Sequence, residues 1–261
     1  MKIVFFGAPE FAAVILTSLI GAHEMIAVVT QPDRPAGRGG KTVPGAVKQL
    51  ALTAGIPVLQ PERIKNAYFY GALKHYNADI YVVAAYGRIL PERVLTLPQY
   101  GAVCVHPSLL PKYRGAAPIQ RAVIAGEKQT GVSIMQMDPG IDTGDILLQE
   151  TIEIFDDDTY GSLHDRLAVL GARLLADALG LIGLGEIEFV KQNDADASRA
   201  EMIDKDTGRI DWNKPPREII DLIRGLNPKP GAYTAYNGET LKIWSAAATD
   251  AADGPPGAIS I

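Results

Sequence analysis

The sequence predicts an α/β protein built on a doubly wound, mainly parallel sheet and followed by a smaller β-rich domain. Short apolar runs alternate with helical segments through residue 148, which is the pattern of consecutive βαβ units. The runs show little polar alternation, as expected of parallel strands buried on both faces. From about residue 206 the pattern changes to a helix and a hairpin, which indicates a second unit.

Composition narrows the class of protein. The chain has 261 residues, 47% of them hydrophobic, and a net charge of −5. A large core is therefore possible, and a protein basic over its whole surface is disfavoured, although a local basic patch is not. The single cysteine, Cys104, allows no intrachain disulfide, makes a thiolate zinc site unfavourable and fits a reducing cytosol. The N-terminus is interpreted as the first core strand, because it lacks the features of a signal peptide.

The elements of the first half follow from apolar runs and their punctuation. Strands are predicted at 2–6, 25–30, 57–59, 80–85, 102–105 and 131–137. Helices are predicted at 11–21, 46–54, 66–76, 91–95 and 117–125. The turn after the first strand contains Gly7 but not the three glycines of a dinucleotide fingerprint, so a nicotinamide cofactor is poorly supported.

Residues 31–44 interrupt this alternation. The segment QPDRPAGRGGKTVP combines prolines and glycines with Arg34, Arg38 and Lys41. Its lack of periodicity predicts a long exposed loop, either a solvated linker or a functional loop whose basic side chains meet phosphates.

The second half predicts a strand at 152–154 and a long amphipathic helix that begins at an N-cap, Thr159, and packs on the sheet. Residues 192–200 are polar and aperiodic, as in a linker, and Asn237-Gly238 predicts a tight hairpin turn. We therefore expect a catalytic domain at 1–190, a linker at 191–205 and a small domain at 206–261. The small domain is expected to be incomplete, because one helix and one hairpin bury little core.

Candidate chemistry concentrates between residues 101 and 148. His106 ends a predicted strand, and Asp138, Asp142 and Asp145 lie in a later turn. In a doubly wound sheet, ligands bind beyond the carboxyl ends of the strands. We expect His106, the Asp138–Asp145 turn and the Tyr86-Gly87-Arg88 turn to lie at those ends. A histidine beside a carboxylate suits acid–base catalysis. From the residues alone, a histidine satisfied in the core and a turn-forming Asp142 remain alternatives.

Several segments together resemble a known family. HPSLLPKYRG and DPGIDTGDIL are similar to the signature of the folate-dependent formyltransferases, and the loop that contains Arg114 belongs to that signature. FFGAPEFAA, TQPDRPAGRGGK and GRIDW with RGLNPKPGAYT resemble the branch that formylates methionyl-tRNA. The resemblance covers nearly the whole chain. It implies a formyltransferase-type Rossmann-like domain and an OB-like C-terminal domain.

The resemblance also implies a reaction, in which a formyl group passes from 10-formyltetrahydrofolate to the α-amino group of initiator methionyl-tRNA during translation initiation. The family's catalytic trio is Asn, His and Asp, of which His106 and Asp142 match two. Cys104 occupies the asparagine position, and a thiol is a weaker hydrogen-bond donor than an amide, so weakened catalysis is expected.

The resemblance assigns two binding surfaces. Folate is expected at Tyr86, Gly87, Arg88, Ile89, Leu90, Ser108, Leu109, Leu110, Pro111, Asp138 and Gly140. The tRNA acceptor end is expected at Arg34, Arg38 and Lys41. We expect a monomeric cytoplasmic protein that needs no metal and binds no membrane. Two alternatives remain: a formyltransferase or formyl-folate hydrolase with a small-molecule substrate, and a weakly active tRNA- or folate-binding protein.

Overall fold

The protein is described by a computed structural model over residues 1–36, 41–249 and 255–258. The strands in those ranges are β1 (Lys2–Gly7), β2 (Glu24–Val29), β3 (Arg34–Ala36), β4 (Lys41–Val43), β5 (Val58–Leu59), β6 (Ile80–Ala84), β7 (Ala102–His106), β8 (Arg114–Gly115), β9 (Gln129–Gln136), β10 (Ile146–Glu153), β11 (Arg199–Ala200), β12 (Ala232–Tyr236) and β13 (Glu239–Ile243). The α-helices are α1 (Glu10–Leu19), α2 (Ala46–Thr53), α3 (Ala67–Tyr76), α4 (Glu92–Leu95), α5 (Pro118–Ile124), α6 (Tyr160–Leu184) and α7 (Pro216–Gly225).

One seven-stranded sheet organises the fold, in the order β10-β9-β7-β6-β1-β2-β5. Five neighbouring strands of this sheet, β7, β6, β1, β2 and β5, run parallel to one another. β9 runs antiparallel to β7, and β10 runs antiparallel to β9. The predicted mainly parallel sheet is therefore confirmed, with an antiparallel extension at one side.

Helices cover both faces of the sheet, because successive side chains of a strand point to opposite faces. In β1, Ile3 and Phe5 join a core formed with α1, α2, α5 and α6. Val4 and Phe6 join a second core formed with α3 and α4. The doubly wound prediction is confirmed, and each buried strand is apolar throughout because both of its faces are covered.

The long helix α6 is the main cover of the first core. Thr159 caps it through a capping box with Ser162, as predicted for the N-cap. By length and apolar composition α6 resembles a membrane-spanning helix. However, Leu163, Leu167 and Leu175 are fully buried in the first core, so its hydropathy is that of a core helix.

Two elements differ from the sequence expectations. The sequence predicts a long exposed loop at residues 31–44, whereas β3 and β4 pair within that segment as an antiparallel ribbon. β10 begins at Ile146, whereas the predicted strand covered only residues 152–154. Outward-facing polar residues alternate along β10 because one of its faces is exposed, and this alternation obscured the strand in the sequence.

The antiparallel direction of β9 corrects the predicted position of the Asp138–Asp145 turn. Val103 is opposite Gln136, and the Met137 N–H donates to the Ala102 carbonyl oxygen. The turn therefore begins beside the N-terminal end of β7, not beyond the carboxyl ends of the parallel strands. The chain must return along β7, a distance of about 13 Å for five strand residues, before Asp142 can reach His106.

The C-terminal unit docks through a buried charged pair. Arg224 Nε donates to Asp221 Oδ1 at 2.7 Å, and Arg224 Nη1 donates to the carbonyl oxygens of Phe155 and Asp158 at 3.1 Å. Beyond α7, β12 and β13 form the predicted hairpin, with Asn237 and Gly238 both at positive φ in its turn. The small core of this unit contains Ile210, Ile223, Leu226 and Ala232.

We expect Leu167→Ala to lower the free energy of unfolding by about 2–5 kcal/mol, because it opens a cavity at a fully buried position of α6. The same substitution at Leu184, which is 72% exposed at the end of that helix, should change it by less than about 0.5 kcal/mol. Urea unfolding of both variants measures the difference. Equal losses would contradict the placement of Leu167 in the core.

Candidate active site

His106 is the last residue of β7, and its side chain is 5% exposed. The ring Nε2 lies 3.0 Å from the carbonyl oxygen of Tyr113. A carbonyl oxygen only accepts, so Nε2 carries a hydrogen in this arrangement. The other ring nitrogen, Nδ1, lies 3.6 Å from Asp142 Oδ2. Nδ1 is therefore the atom of His106 at which a proton can be taken up and returned beside a carboxylate.

Asp142 is oriented by the backbone of a neighbouring loop. Its Oδ2 accepts a hydrogen bond of 2.8 Å from the Gly115 N–H. The 3.6 Å separation from His106 is longer than a hydrogen bond, so the two groups interact through charge or across a bridging water. Asp142 itself has a φ of 53°, a left-handed conformation that is uncommon outside glycine and needs support from its surroundings.

The rest of the Asp142 turn is held by Asp138. Its Oδ1 accepts from the Gly140 N–H at 3.0 Å and from the Thr143 hydroxyl at 2.8 Å. A Cβ atom at Gly144 would collide with the carbonyl oxygen of Gln136, so this position requires glycine. Asp138 therefore shapes the turn, and Asp142 is the carboxylate of the turn that meets the histidine.

Cys104 lies two residues before His106 on the same strand, so both side chains point to the same face of the sheet. It is 8% exposed and packs in the second core. Burial, together with the nearby Asp142 charge, raises the pKa of the Cys104 thiol. The structure thus brings Cys104, His106 and Asp142 together, with the thiol in its protonated form at neutral pH.

The loop after β6 presents few of its side chains to solvent. Tyr86 and Leu90 are buried in the second core, and burial raises the pKa of Tyr86 to about 12. Arg88 Nη1 donates to the carbonyl oxygens of Pro61 and Glu62. Ile89 is 65% exposed. A ligand at this loop would therefore meet Ile89 and backbone groups, including those of Gly87, more readily than the Tyr86 ring.

The loop after His106 is tied to β9. The Ser133 hydroxyl donates to the Ser108 carbonyl oxygen at 2.6 Å and accepts from the Leu110 N–H at 3.0 Å. Leu110 is buried in the second core, and Ser108 is fully buried. Leu109 and Pro111 are half-buried. The loop is therefore rigid, and its half-buried members are the ones able to line a ligand surface.

The expected tRNA-binding residues fall partly outside the structure. Arg34 and Lys41 lie in the paired strands β3 and β4, and Arg38 lies outside the described residues. The base of this ribbon is anchored by Asp33, which pairs with Lys48 and accepts from Gln60. These contacts, the Lys48 hydrogen bond first, lower the pKa of the Asp33 carboxyl.

Sequence reasoning missed three contributors to the site. Tyr113 offers only its carbonyl oxygen to His106, and Gly115 offers only its N–H to Asp142. Gln192 donates from Nε2 to the carbonyl oxygens of Asp142 and Gly144, at 2.9 and 2.7 Å. Backbone groups leave no side-chain signal, and Gln192 is one polar residue in an aperiodic segment.

Arg114, in the loop that belongs to the family signature, is already hydrogen-bonded to neighbouring side chains. Its guanidinium donates to Gln192 Oε1 and to Asp194 Oδ1. A cavity of about 410 Å³ opens beside it, with Gly115, Ile141, Thr143 and residues 197–202 among its walls. Among the residues that the structure describes, no group of three or more His, Cys, Asp or Glu side chains forms a metal-binding cluster.

Solved structures with the same fold include several formyltransferases. WlaRD, a sugar 3N-formyl transferase determined in the presence of dTDP and 5-N-formyl-THF, aligns with a TM-score of 0.70 at 21% identity, over 94% of this chain and 85% of its own. A sugar N-formyltransferase from Shewanella sp. aligns with a TM-score of 0.73 at 20% identity, over 96% of this chain and 99% of its own. At these identities the similarity establishes the fold.

Sequence comparison establishes the family. A methionyl-tRNA formyltransferase of Caldanaerobacter subterraneus is 51% identical over 99% of this chain and 85% of its own length. One from Pelotomaculum thermopropionicum is 51% identical over 96% of this chain and 80% of its own. The formyl transferase family model matches residues 1–179, and the formyl transferase C-terminal domain model matches residues 202–261. The chain belongs to the formyl transferase family.

Proposed function

We propose that this protein transfers a formyl group from 10-formyltetrahydrofolate to the α-amino group of initiator methionyl-tRNA. The observation that carries the proposal is the His106–Asp142 pair within a chain about half identical, along nearly its whole length, to methionyl-tRNA formyltransferases. The folate donor is supported by structural neighbours determined with 5-N-formyl-THF or folinic acid.

The site suits acyl transfer to an amine. The neutral amine attacks the formyl carbon, and the carbonyl electron pair moves to oxygen. His106 Nδ1 takes the proton that the attacking nitrogen loses, and the Asp142 carboxylate 3.6 Å away stabilises the resulting imidazolium. Collapse of the tetrahedral intermediate breaks the bond to the folate nitrogen, which receives the proton from His106. The Tyr113 carbonyl oxygen holds Nε2 throughout, so the ring presents Nδ1 at each step.

The substrates are assigned to two surfaces. Folate lies against residues 86–90, 108–111 and the Asp138–Asp142 turn, largely through backbone groups, because Tyr86, Leu90 and Leu110 are core residues. The acceptor end of tRNA meets Arg34, Arg38 and Lys41, whose positive charges suit phosphates. In this proposal the chain consists of a catalytic domain at 1–190, a linker at 191–205 and a tRNA-binding domain at 206–261. The protein is a monomer in the cytoplasm.

The proposal is tested by incubating the protein with 10-formyltetrahydrofolate and initiator tRNA, either charged with methionine or uncharged. Formyl-methionine should appear only on the charged tRNA, since the α-amine is the nucleophile. Absence of formyl transfer under single-turnover conditions, with enzyme in excess, would reject the proposed activity. Consumption of the formyl donor without any acceptor would favour hydrolysis instead.

Asp142→Asn should lower kcat by about 10²–10⁴-fold. The amide oxygen can still accept from the Gly115 N–H, so the turn is retained, but a neutral group no longer stabilises protonated His106. Steady-state assays give kcat, and thermal unfolding of the same variant gives its midpoint. An unchanged rate in a folded variant would remove Asp142 from the mechanism.

Cys104→Asn should raise kcat by about 10²–10³-fold, because an amide donates a directed hydrogen bond to the developing oxyanion and a thiol donates only weakly. Cys104→Ala serves as the matched control, since it offers no donor and should give no gain. If the asparagine variant folds and is no faster than the parent, then Cys104 does not limit catalysis.

Native Cys104 should react with iodoacetamide at pH 8.5 at least about 10²-fold more slowly than in the urea-unfolded chain. Only the thiolate reacts, and an unfolded thiol is about half ionised near pH 8.5, whereas burial raises the pKa of the folded thiol. The folded state therefore keeps this proton at higher pH, and the contribution of Cys104 to stability decreases as pH rises above 8.5. Mass spectrometry counts the single adduct. Equal rates would mean that the thiolate is accessible in the folded protein and would contradict the buried placement of Cys104.

A further inference from the structure

We propose that Gln192 is a positioning residue for formyl transfer, which holds the Asp142 turn in the conformation that places its carboxylate beside His106. This inference rests on the proposed function. It concerns the segment of residues 192–202, called the strap below. The sequence suggested an unstructured linker there, but the strap is hydrogen-bonded along the outside of the site.

The Gln192 amide uses both of its hydrogen-bonding functions. Its nitrogen donates to the carbonyl oxygens of Asp142 and Gly144, at 2.9 and 2.7 Å. Its oxygen accepts from Arg114 Nε and Nη2, at 3.0 and 2.8 Å. Only a planar amide presents two N–H donors and an acceptor at this position. Gln192 therefore joins the Asp142 turn to the 113–115 loop through one rigid group.

The Asp142 turn needs such support. Asp142 has a φ of 53°, and a residue in that conformation persists when surrounding contacts determine it. Its carboxylate is held by the Gly115 N–H, and its main-chain oxygen by Gln192. Without the second contact the turn can relax, and an altered separation between Asp142 and His106 weakens the charge interaction that the chemistry uses.

The strap also holds the loop that contacts His106. The Tyr113 N–H donates to Ser198 Oγ at 2.9 Å, and the Arg114 N–H donates to the Ser198 carbonyl oxygen at 2.9 Å. The Ala116 N–H donates to the Ala200 carbonyl oxygen at 2.8 Å. The loop fixed in this way supplies both the Tyr113 oxygen for His106 and the Gly115 N–H for Asp142. The strap therefore orients both members of the catalytic pair.

The test is a double-mutant cycle on kcat for formyl transfer from 10-formyltetrahydrofolate to methionyl-tRNA, with KM for methionyl-tRNA measured in the same assays. Gln192→Met keeps the length of the side chain and removes all four hydrogen bonds. Gln192→Glu keeps the Arg114 contact, so it protects the strap, but it has no N–H to donate to the turn. Each is combined with Asp142→Asn. Asn193→Ala is the control, because the hydrogen bonds that the Asn193 side chain makes with described residues stay within the strap, to Asp196 and Ala195.

If Gln192 acts through Asp142, both Gln192 variants lower kcat about 10-fold or more, since small misplacements of catalytic groups are costly. KM for methionyl-tRNA should stay within about twofold. In the Asp142→Asn background the same variants should cause no further loss. Asn193→Ala should keep the parental rate.

Three results would overturn the inference while leaving the proposed activity intact: a parental kcat in both Gln192 variants, a loss that adds fully to that of Asp142→Asn, or an equal loss in Asn193→Ala. The last two outcomes would indicate a purely structural strap. Absence of turnover by the parent protein would instead overturn the proposed function and this inference together. Gln192→Glu decides the matter if Gln192→Met does not fold.

Discussion

The antiparallel pairing of β9 with β7 is the constraint on which the site depends. Because of this direction β9 ends near Ala102, at the N-terminal end of β7. His106 lies at the opposite end of β7, so the turn after β9 has to extend back along that strand to reach it. A turn that crosses a sheet in this way has no ladder to hold it. Asp138, Gly144 and the left-handed Asp142 give it its shape, and neighbouring loops supply the remaining contacts.

The 113–115 loop contacts both His106 and Asp142. Its Tyr113 carbonyl oxygen fixes the proton on His106 Nε2, and its Gly115 N–H aims the Asp142 carboxylate. The loop is in turn paired through β8 with β11 of the strap. The same strap continues into the C-terminal unit, where Ile203 packs against the small core. The His106–Asp142 pair is thus connected, through the hydrogen bonds of the 113–115 loop, to the segment that leads into the C-terminal unit.

Cys104 shows how a buried strand limits chemistry. The thiol packs well on the apolar face beneath the site, and burial keeps it protonated. The same burial that suits a thiol is unfavourable for an amide unless the amide finds a partner. In the proposed reaction that partner is the developing oxyanion. Packing therefore favours cysteine at position 104, whereas catalysis favours asparagine.

The residues suggested His106 and a carboxylate of the later turn as a candidate pair but left their roles open, and the family resemblance singled out Asp142. The sequence by itself determined the elements that depend on local pattern: the apolar strands, the Thr159 cap and the Asn237-Gly238 turn. These signals are carried by neighbouring residues. Only the tertiary structure decided the direction of β9, the pairing of β3 with β4, and the roles of Tyr113, Gly115 and Gln192. Strand direction and backbone hydrogen bonds join residues far apart in the chain and do not require particular side chains, so composition and periodicity do not record them.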